Sequence, residues 1–281
     1  MIDLISDWNP LSDWSRARKD RRRKRRQDPL CDVDGFPLDM DAGVVDTIQR
    51  VQPFTMTTTE RLNGLCEAVR YLVSAGIEGD IVECGVWKGG SMMAVAESLV
   101  RFGDTSRQLH LYDTFTGMSE PTGKDVSLVG EDAVQRFHDE KSDEPNAAWC
   151  GSSLDRVKSH MAQTGYPDEN MNFVVGKVED TIPHAAPQEI ALLRLDTDWY
   201  ESTLHEMNHL FPRLVDGGVL ILDDYGHWQG AREAVDEYLS QNNVSIMLNR
   251  LDYTGRIGIK HAGHQLVRFI KPDPGNRHAM A

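Results

Sequence analysis

The sequence predicts an α/β fold: a doubly wound, Rossmann-like parallel sheet with helices on both faces, behind a helical or irregular N-terminal extension. Three observations predict it. Apolar runs of strand length alternate with helical segments from residue 60 onward. The first such strand enters a glycine-rich turn, and two later strands end in acidic clusters, where a parallel sheet delivers side chains to its ligand crevice.

The elements follow in order. Leu62, Leu65, Cys66, Val69, Leu72 and Val73 recur at the spacing of one helix face, and Gly76 can end that helix. Asp80 to Cys84 reads as a first strand, Ser91 to Arg101 as a helix and Leu109 to Tyr112 as a second strand. Residues 118–150 are polar and irregular, the composition of an active-site lid. A helix over Leu154 to Gln163 leads to a third strand at Met171 to Val175. Residues 190–195 and 219–222 are the fourth and fifth strands, separated by a helix carrying Leu204, Met207, Leu210 and Phe211. Val244 to Leu248 and Leu266 to Ile270 are expected to close the sheet as an antiparallel pair.

Charge divides the chain. Residues 16–26 carry nine basic side chains, whereas residues 27–281 carry 21 basic and 40 acidic ones. An acidic body disfavours nucleic acid as a substrate. The basic run has the charge to bind RNA, anionic lipid or the acidic body of a neighbouring subunit. It lacks interleaved aromatics, so a solvated or partner-stabilised arm, with Trp8 and Trp14 as anchors and a homo-oligomer as partner, is the expectation. No apolar run reaches the roughly 20 residues of a membrane span, and the N-terminus lacks the apolar core of a secretory signal, so a cytoplasmic protein is expected. Cys31, Cys66, Cys84 and Cys150 show no paired spacing, so neither a disulfide framework nor a zinc site is expected.

The acidic clusters are Leu-Arg-Leu-Asp196-Thr-Asp198 and Leu-Ile-Leu-Asp223-Asp224-Tyr225. Carboxylates on adjacent strand ends make an all-oxygen site for a hard cation such as Mg²⁺, whose charge offsets their repulsion. The turn Glu83-Cys-Gly85-Val86-Trp-Lys-Gly89-Gly90 lets the backbone approach a ligand, and the helix after it offers N–H groups. A turn of this kind serves NAD, a nucleotide or S-adenosylmethionine. Its Gly-x-x-x-Gly-Gly spacing departs from the dinucleotide pattern. Asp113, 28 positions after Gly85, stands where an acidic residue accepts bonds from ribose hydroxyls. Turn and acid together point to an adenosyl ligand without a required pyrophosphate.

Over residues 50–260 the chain resembles the macrocin O-methyltransferase family. The resemblance rests on Phe54-Thr-Met56, the turn at 83–90, Tyr112-Asp-Thr-Phe115-Thr-Gly117, Leu195-Asp-Thr-Asp-Trp-Tyr-Glu-Ser-Thr203, and Asp223-Asp-Tyr-Gly226 with Trp228 and Gly230. It implies a class I methyltransferase domain at 51–275, behind an extension at 1–50. The implied cofactors are S-adenosylmethionine and Mg²⁺. The acceptor would be a sugar or phenolic hydroxyl of a bacterial natural product. Asp196, Asp223 and Asp224 match the family's metal ligands. The expected cofactor contacts are Thr55, Met56, Glu83, Gly85, Val86, Gly89, Gly90, Asp113, Phe115, Lys177 and Val178. Asp198 matches a position proposed as general base, and His138, in the insert, competes with it. Trp228 and Tyr225 are expected to wall the acceptor. Two other classes stay open: an NAD-dependent oxidoreductase, and a non-catalytic nucleic-acid-associated protein that uses the basic arm.

Overall fold

The computed structural model describes residues 29–140 and 148–261. The basic run at 16–26, Trp8, Trp14 and the strand expected at Leu266 to Ile270 lie outside the described residues. The chain divides into two compact units, Met1–Arg50 and Val51–Ala281. In the first, an isolated bridge joins Cys31 and Pro37, and Asp32 accepts the N–H groups of Asp34 and Phe36. Helix α1, Ala42–Val51, follows.

Strands β1 (Asp80–Cys84), β2 (Leu109–Asp113), β3 (Met171–Val175), β4 (Ile190–Leu195) and β5 (Leu214–Leu222) form a parallel sheet. β6 (Asn249–Arg250) and β7 (Arg256–Ile259) complete it in the order β3-β2-β1-β4-β5-β7-β6, with β7 antiparallel to both β5 and β6. An antiparallel pair therefore closes the sheet, but it is formed by Asn249–Arg250 and Arg256–Ile259 and not by the expected Val244 to Leu248. Val244 to Leu248 is irregular, and its partly buried apolar residues pack on the core without joining a ladder. Apolarity alone does not separate those two outcomes.

Alternation along the central strands assigns the two faces. Val82, Cys84, Leu193, Leu195, Leu220 and Leu222 share a cluster with Met207 and Leu210, and with Val235 and Tyr238. The first pair belongs to the segment of α7 (Tyr200–His209) and the second to α8 (Gln229–Gln241). On the opposite face the same strands bury Ile81, Leu192, Val219 and Ile221, and also two charges, Glu83 and Arg194. Helix α2 (Thr59–Ala75) packs against β4 and β5, and against α3 (Gly90–Phe102). The Thr58 hydroxyl caps α2 by accepting the Arg61 N–H.

The described residues of the insert after β2, 118–140 and 148–150, are more ordered than their composition implies. They hold α4 (Ala133–Asp139), capped by Asp132, and bridges joining Val126 to Asp132 and Ser127 to Trp228. Asp125, fully buried, accepts the N–H groups of Thr122 and Tyr200 and so caps α7 from the insert side. Polar residues that form such local bonds look like loop in a sequence, yet here they build a docked element. The short α5 (Leu154–Met161) and α6 (Val178–Thr181) flank β3.

Candidate active site

Three strand ends converge. Asp196 follows β4, Asp223 and Asp224 follow β5, and one carboxylate oxygen from each lies within 4.8 Å of the other two. Beside them a cleft open to solvent is lined by Gly85, Asp113, Lys177, Val178, Thr197 and Ser202 among others.

Gly85 shows why the cleft opens at β1. Its φ is +83°, and a Cβ there would lie 1.9 Å from the Asp196 carbonyl oxygen, so only glycine allows β1 and β4 to end this close together. Asp113 organises the same turn from β2. Its carboxylate accepts the N–H groups of Val86 at 2.7 Å, Trp87 at 3.0 Å and Phe115 at 2.7 Å. Burial raises this carboxyl above its ordinary value, against those three N–H donors. Asp113 therefore holds the glycine turn in place as well as lining the cleft.

The other expected cofactor residues divide. Lys177 and Val178 line the cleft. Gly90 lets α3 approach Phe54 and Thr55, since a Cβ would lie 2.6 Å from the Phe54 carbonyl, and the Thr55 hydroxyl accepts the Thr57 N–H. The N–H of Gly89 closes a turn onto the Val86 carbonyl. Phe115 turns its ring toward Phe173, with centroids 6.4 Å apart. Met56 is half-buried beside them in sequence. Glu83 is fully enclosed, and one of its oxygens is bonded to Arg194.

The charge pattern under the acid cluster was not foreseen. Arg194, buried in β4, donates from Nη1 to Glu83 at 2.6 Å and to Asp196 at 2.7 Å, and from Nη2 to Asp223 at 2.5 Å and Thr57 at 3.1 Å. Arg61, from α2, bonds Asp223 and pairs with Asp252 at 3.0 Å. Burial opposes charge on Arg194, but Asp196 and Glu83 outweigh it and leave its pKa raised. Two of the three convergent aspartates thus have internal cations. A charged residue inside the apolar run Ile-Ala-Leu-Leu-Arg-Leu was the available signal.

Asp224 and Asp198 are compensated differently. They act on one another, and Trp228 acts on Asp198 as well. Burial and the charge of Asp196 push Asp198 up to about 7, while burial, Asp198 and Asp196 drive Asp224 well above the carboxylate range. Asp198 also sits in left-handed backbone, φ +67°, a conformation that the short polar side chain of Asp tolerates.

Of the two candidate bases, only Asp198 belongs to this cluster. His138 is exposed on α4, its ring against Phe137. A different histidine, His227, lies three residues after Asp224 and donates its N–H to the Asp224 carbonyl. Its ring meets Trp228 edge-on at 4.8 Å, and burial with Arg136 and Arg61 holds the imidazole below its ordinary pKa. Trp228 itself is buried at 3% exposure, so it does not wall an open acceptor site. It joins Trp149 and Trp199 in an aromatic trio with centroids 5.1 to 6.4 Å apart, which seats the insert against the strand ends. Tyr225 is half-buried, its hydroxyl on Asp236.

Comparison with known proteins agrees with this architecture. The family model described as macrocin-O-methyltransferase (TylF) matches residues 12–257. The chain is 36% identical over 201 residues to the 8-demethyl-8-(2,3-dimethoxy-alpha-L-rhamnosyl)-tetracenomycin-C 4'-O-methyltransferase of Streptomyces olivaceus, covering 72% of this chain and 73% of the relative. It is 32% identical to the mycinamicin III 3''-O-methyltransferase of Micromonospora griseorubida, covering 72% and 76%. Among solved structures, the O-methyltransferase NovP superposes with a TM-score of 0.65 at 23% identity, over 90% of this chain and 100% of that one.

Proposed function

Because the chain belongs to the macrocin-O-methyltransferase family, and is therefore an S-adenosylmethionine-dependent O-methyltransferase, we propose that it methylates a sugar hydroxyl of a glycosylated natural product with the help of Mg²⁺. This activity is assigned to the domain at 51–275. Membership sets aside the oxidoreductase and the non-catalytic alternatives. The observation that carries the reading is the convergence of Asp196, Asp223 and Asp224 beside a cleft that shares Thr197 with the acid turn. Both curated relatives described above are named for methylation of a sugar position on a larger molecule.

The residues fit a hard divalent cation. Their donors are all carboxylate oxygens, and a bound cation would offset both the burial and the mutual repulsion that raise Asp224 and Asp198. When bound at Asp196, Asp223 and Asp224, Mg²⁺ would acidify the acceptor hydroxyl and fix its direction. The cleft lined by Asp113, Gly85, Lys177 and Val178 would hold the adenosyl portion of S-adenosylmethionine, which would supply the methyl group. Asp198 takes the acceptor's proton at its carboxylate, and Trp228 holds that carboxylate in place. The insert, seated by the tryptophan trio, keeps water from the reacting hydroxyl.

The test is methyl transfer from labelled S-adenosylmethionine to sugar, polysaccharide and phenolic acceptors, with and without EDTA. Transfer to a glycoside hydroxyl that stops with EDTA and returns with Mg²⁺ is expected, and Asp196→Ala or Asp224→Ala should abolish it. Full turnover in EDTA would remove the metal, and transfer confined to phenols would remove the sugar.

A further inference from the structure

We propose that Glu206 is a positioning residue that sets the Asp196-Thr197-Asp198 turn by holding Thr197, an inference that rests on the role just given to that turn. Glu206 projects from α7 and has no exposed surface, with Met207 of the same helix and Leu210 just after it also buried. A carboxyl in such a place is costly, since burial opposes its charge and drives its pKa well above the ordinary range. Leucine would fill the position more cheaply. What the carboxyl adds is an acceptor at Oε1 for the Thr197 hydroxyl, 3.0 Å away, with the Cys84 thiol as a second neighbour.

Thr197 is the hinge of the turn. Its carbonyl accepts the Trp199 N–H at 2.8 Å, and its branched side chain is stiff at χ1, so a bond to its hydroxyl also fixes the backbone that carries Asp196 and Asp198. Asp198 tolerates its left-handed backbone, and constraints on the turn favour that conformation over the commoner ones. The Glu206 bond is one such constraint, and it acts from the far side of the turn.

The experiment compares Glu206→Gln, whose amide oxygen still accepts from Thr197, with Glu206→Leu, Thr197→Val and the double variant Glu206→Leu/Thr197→Val. Each is assayed for kcat, for KM, and by calorimetry for Mg²⁺ and S-adenosylhomocysteine. Glu206→Leu and Thr197→Val should each lower kcat and Mg²⁺ affinity by about 10- to 100-fold, the range seen when groups that orient metal ligands are removed. For Glu206→Leu, S-adenosylhomocysteine affinity should stay within about 3-fold of wild type, and the double variant should be no worse than the poorer single by more than about 3-fold. Glu206→Gln should recover most of the loss. A folded Glu206→Leu protein with wild-type kcat and Mg²⁺ affinity overturns the proposal, as do losses that multiply in the double variant. If Glu206→Leu does not fold, Thr197→Ser against Thr197→Val decides, because only serine keeps the hydroxyl: equal activity and Mg²⁺ affinity in the two overturn it. A wild type that binds Mg²⁺ but methylates no sugar hydroxyl refutes the acceptor assignment, and the calorimetric comparison still judges Glu206.

Discussion

Glu83 and Arg194 stand opposite each other in the parallel register of β1 and β4, and Arg194 Nη1 lies 2.6 Å from Glu83 Oε1 inside the sheet's buried face. The second oxygen, Oε2, has no hydrogen-bond partner. Burial pushes this carboxyl up to about 8 despite the adjacent guanidinium. The pair carries the acid cluster, because the same guanidinium reaches Asp196 and Asp223. Removing the guanidinium leaves Asp196 and Asp223 without that internal cation. Arg194→Met should therefore destabilise the fold by about 3–5 kcal/mol in urea denaturation, and Glu83→Gln/Arg194→Met should recover part of it. A loss below 1 kcal/mol would mean that the pair is not a structural centre.

Asp113 holds the glycine turn and lines the cleft of the proposed cofactor site, so its removal should act on both. Asp113→Ala leaves the Val86, Trp87 and Phe115 N–H groups without their acceptor. S-adenosylhomocysteine affinity should weaken by about 1–3 kcal/mol, the effect of losing hydrogen bonds to a charged group. Calorimetry that finds unchanged affinity would leave Asp113 as a turn residue alone.

Periodicity and strand-end chemistry made most of the sheet legible in the sequence. β1 and β3 fall where alternation and apolar runs placed them, and Asp196, Asp223 and Asp224 converge because parallel strands deliver successive ends to one edge. The hidden part was whatever depends on partners distant in sequence. Arg61 and Arg194 reach Asp223 across separations of 162 and 29 positions. The role of Trp228 depends on an insert whose polar composition disguises its docking. His138 was singled out because it lay in that insert, but α4 turns it toward solvent and leaves His227 beside Asp224.

Glu206 gives a pH dependence with a definite sign. Its folded pKa is raised, so above the unfolded value of about 4.3 the unfolded chain releases a proton that the folded one keeps. Stability from this group is fully present below that pH and is lost as pH rises toward the folded pKa. Glu206→Gln cannot ionise. The variant should gain stability relative to wild type between pH 5 and pH 8, read as a growing difference in urea midpoint. A constant difference across that window would mean that Glu206 ionises in the folded protein.

The last prediction separates the two bases named from the sequence. Asp198→Asn is nearly isosteric but cannot take a proton at neutral pH, so kcat should fall by roughly 10² to 10⁴ while S-adenosylhomocysteine affinity holds. His138→Gln should have little effect, because the imidazole is exposed on α4 whereas Asp198 belongs to the acid cluster with Asp224. A dead histidine variant, with Asp198→Asn within a few-fold of wild type, would move proton removal to the insert. Mg²⁺ affinity must be read on the same samples, since Asp198 lies two residues from Asp196 and could act by orienting the metal's ligands. Retained Mg²⁺ affinity with lost turnover in Asp198→Asn identifies the carboxylate as the group that takes the proton.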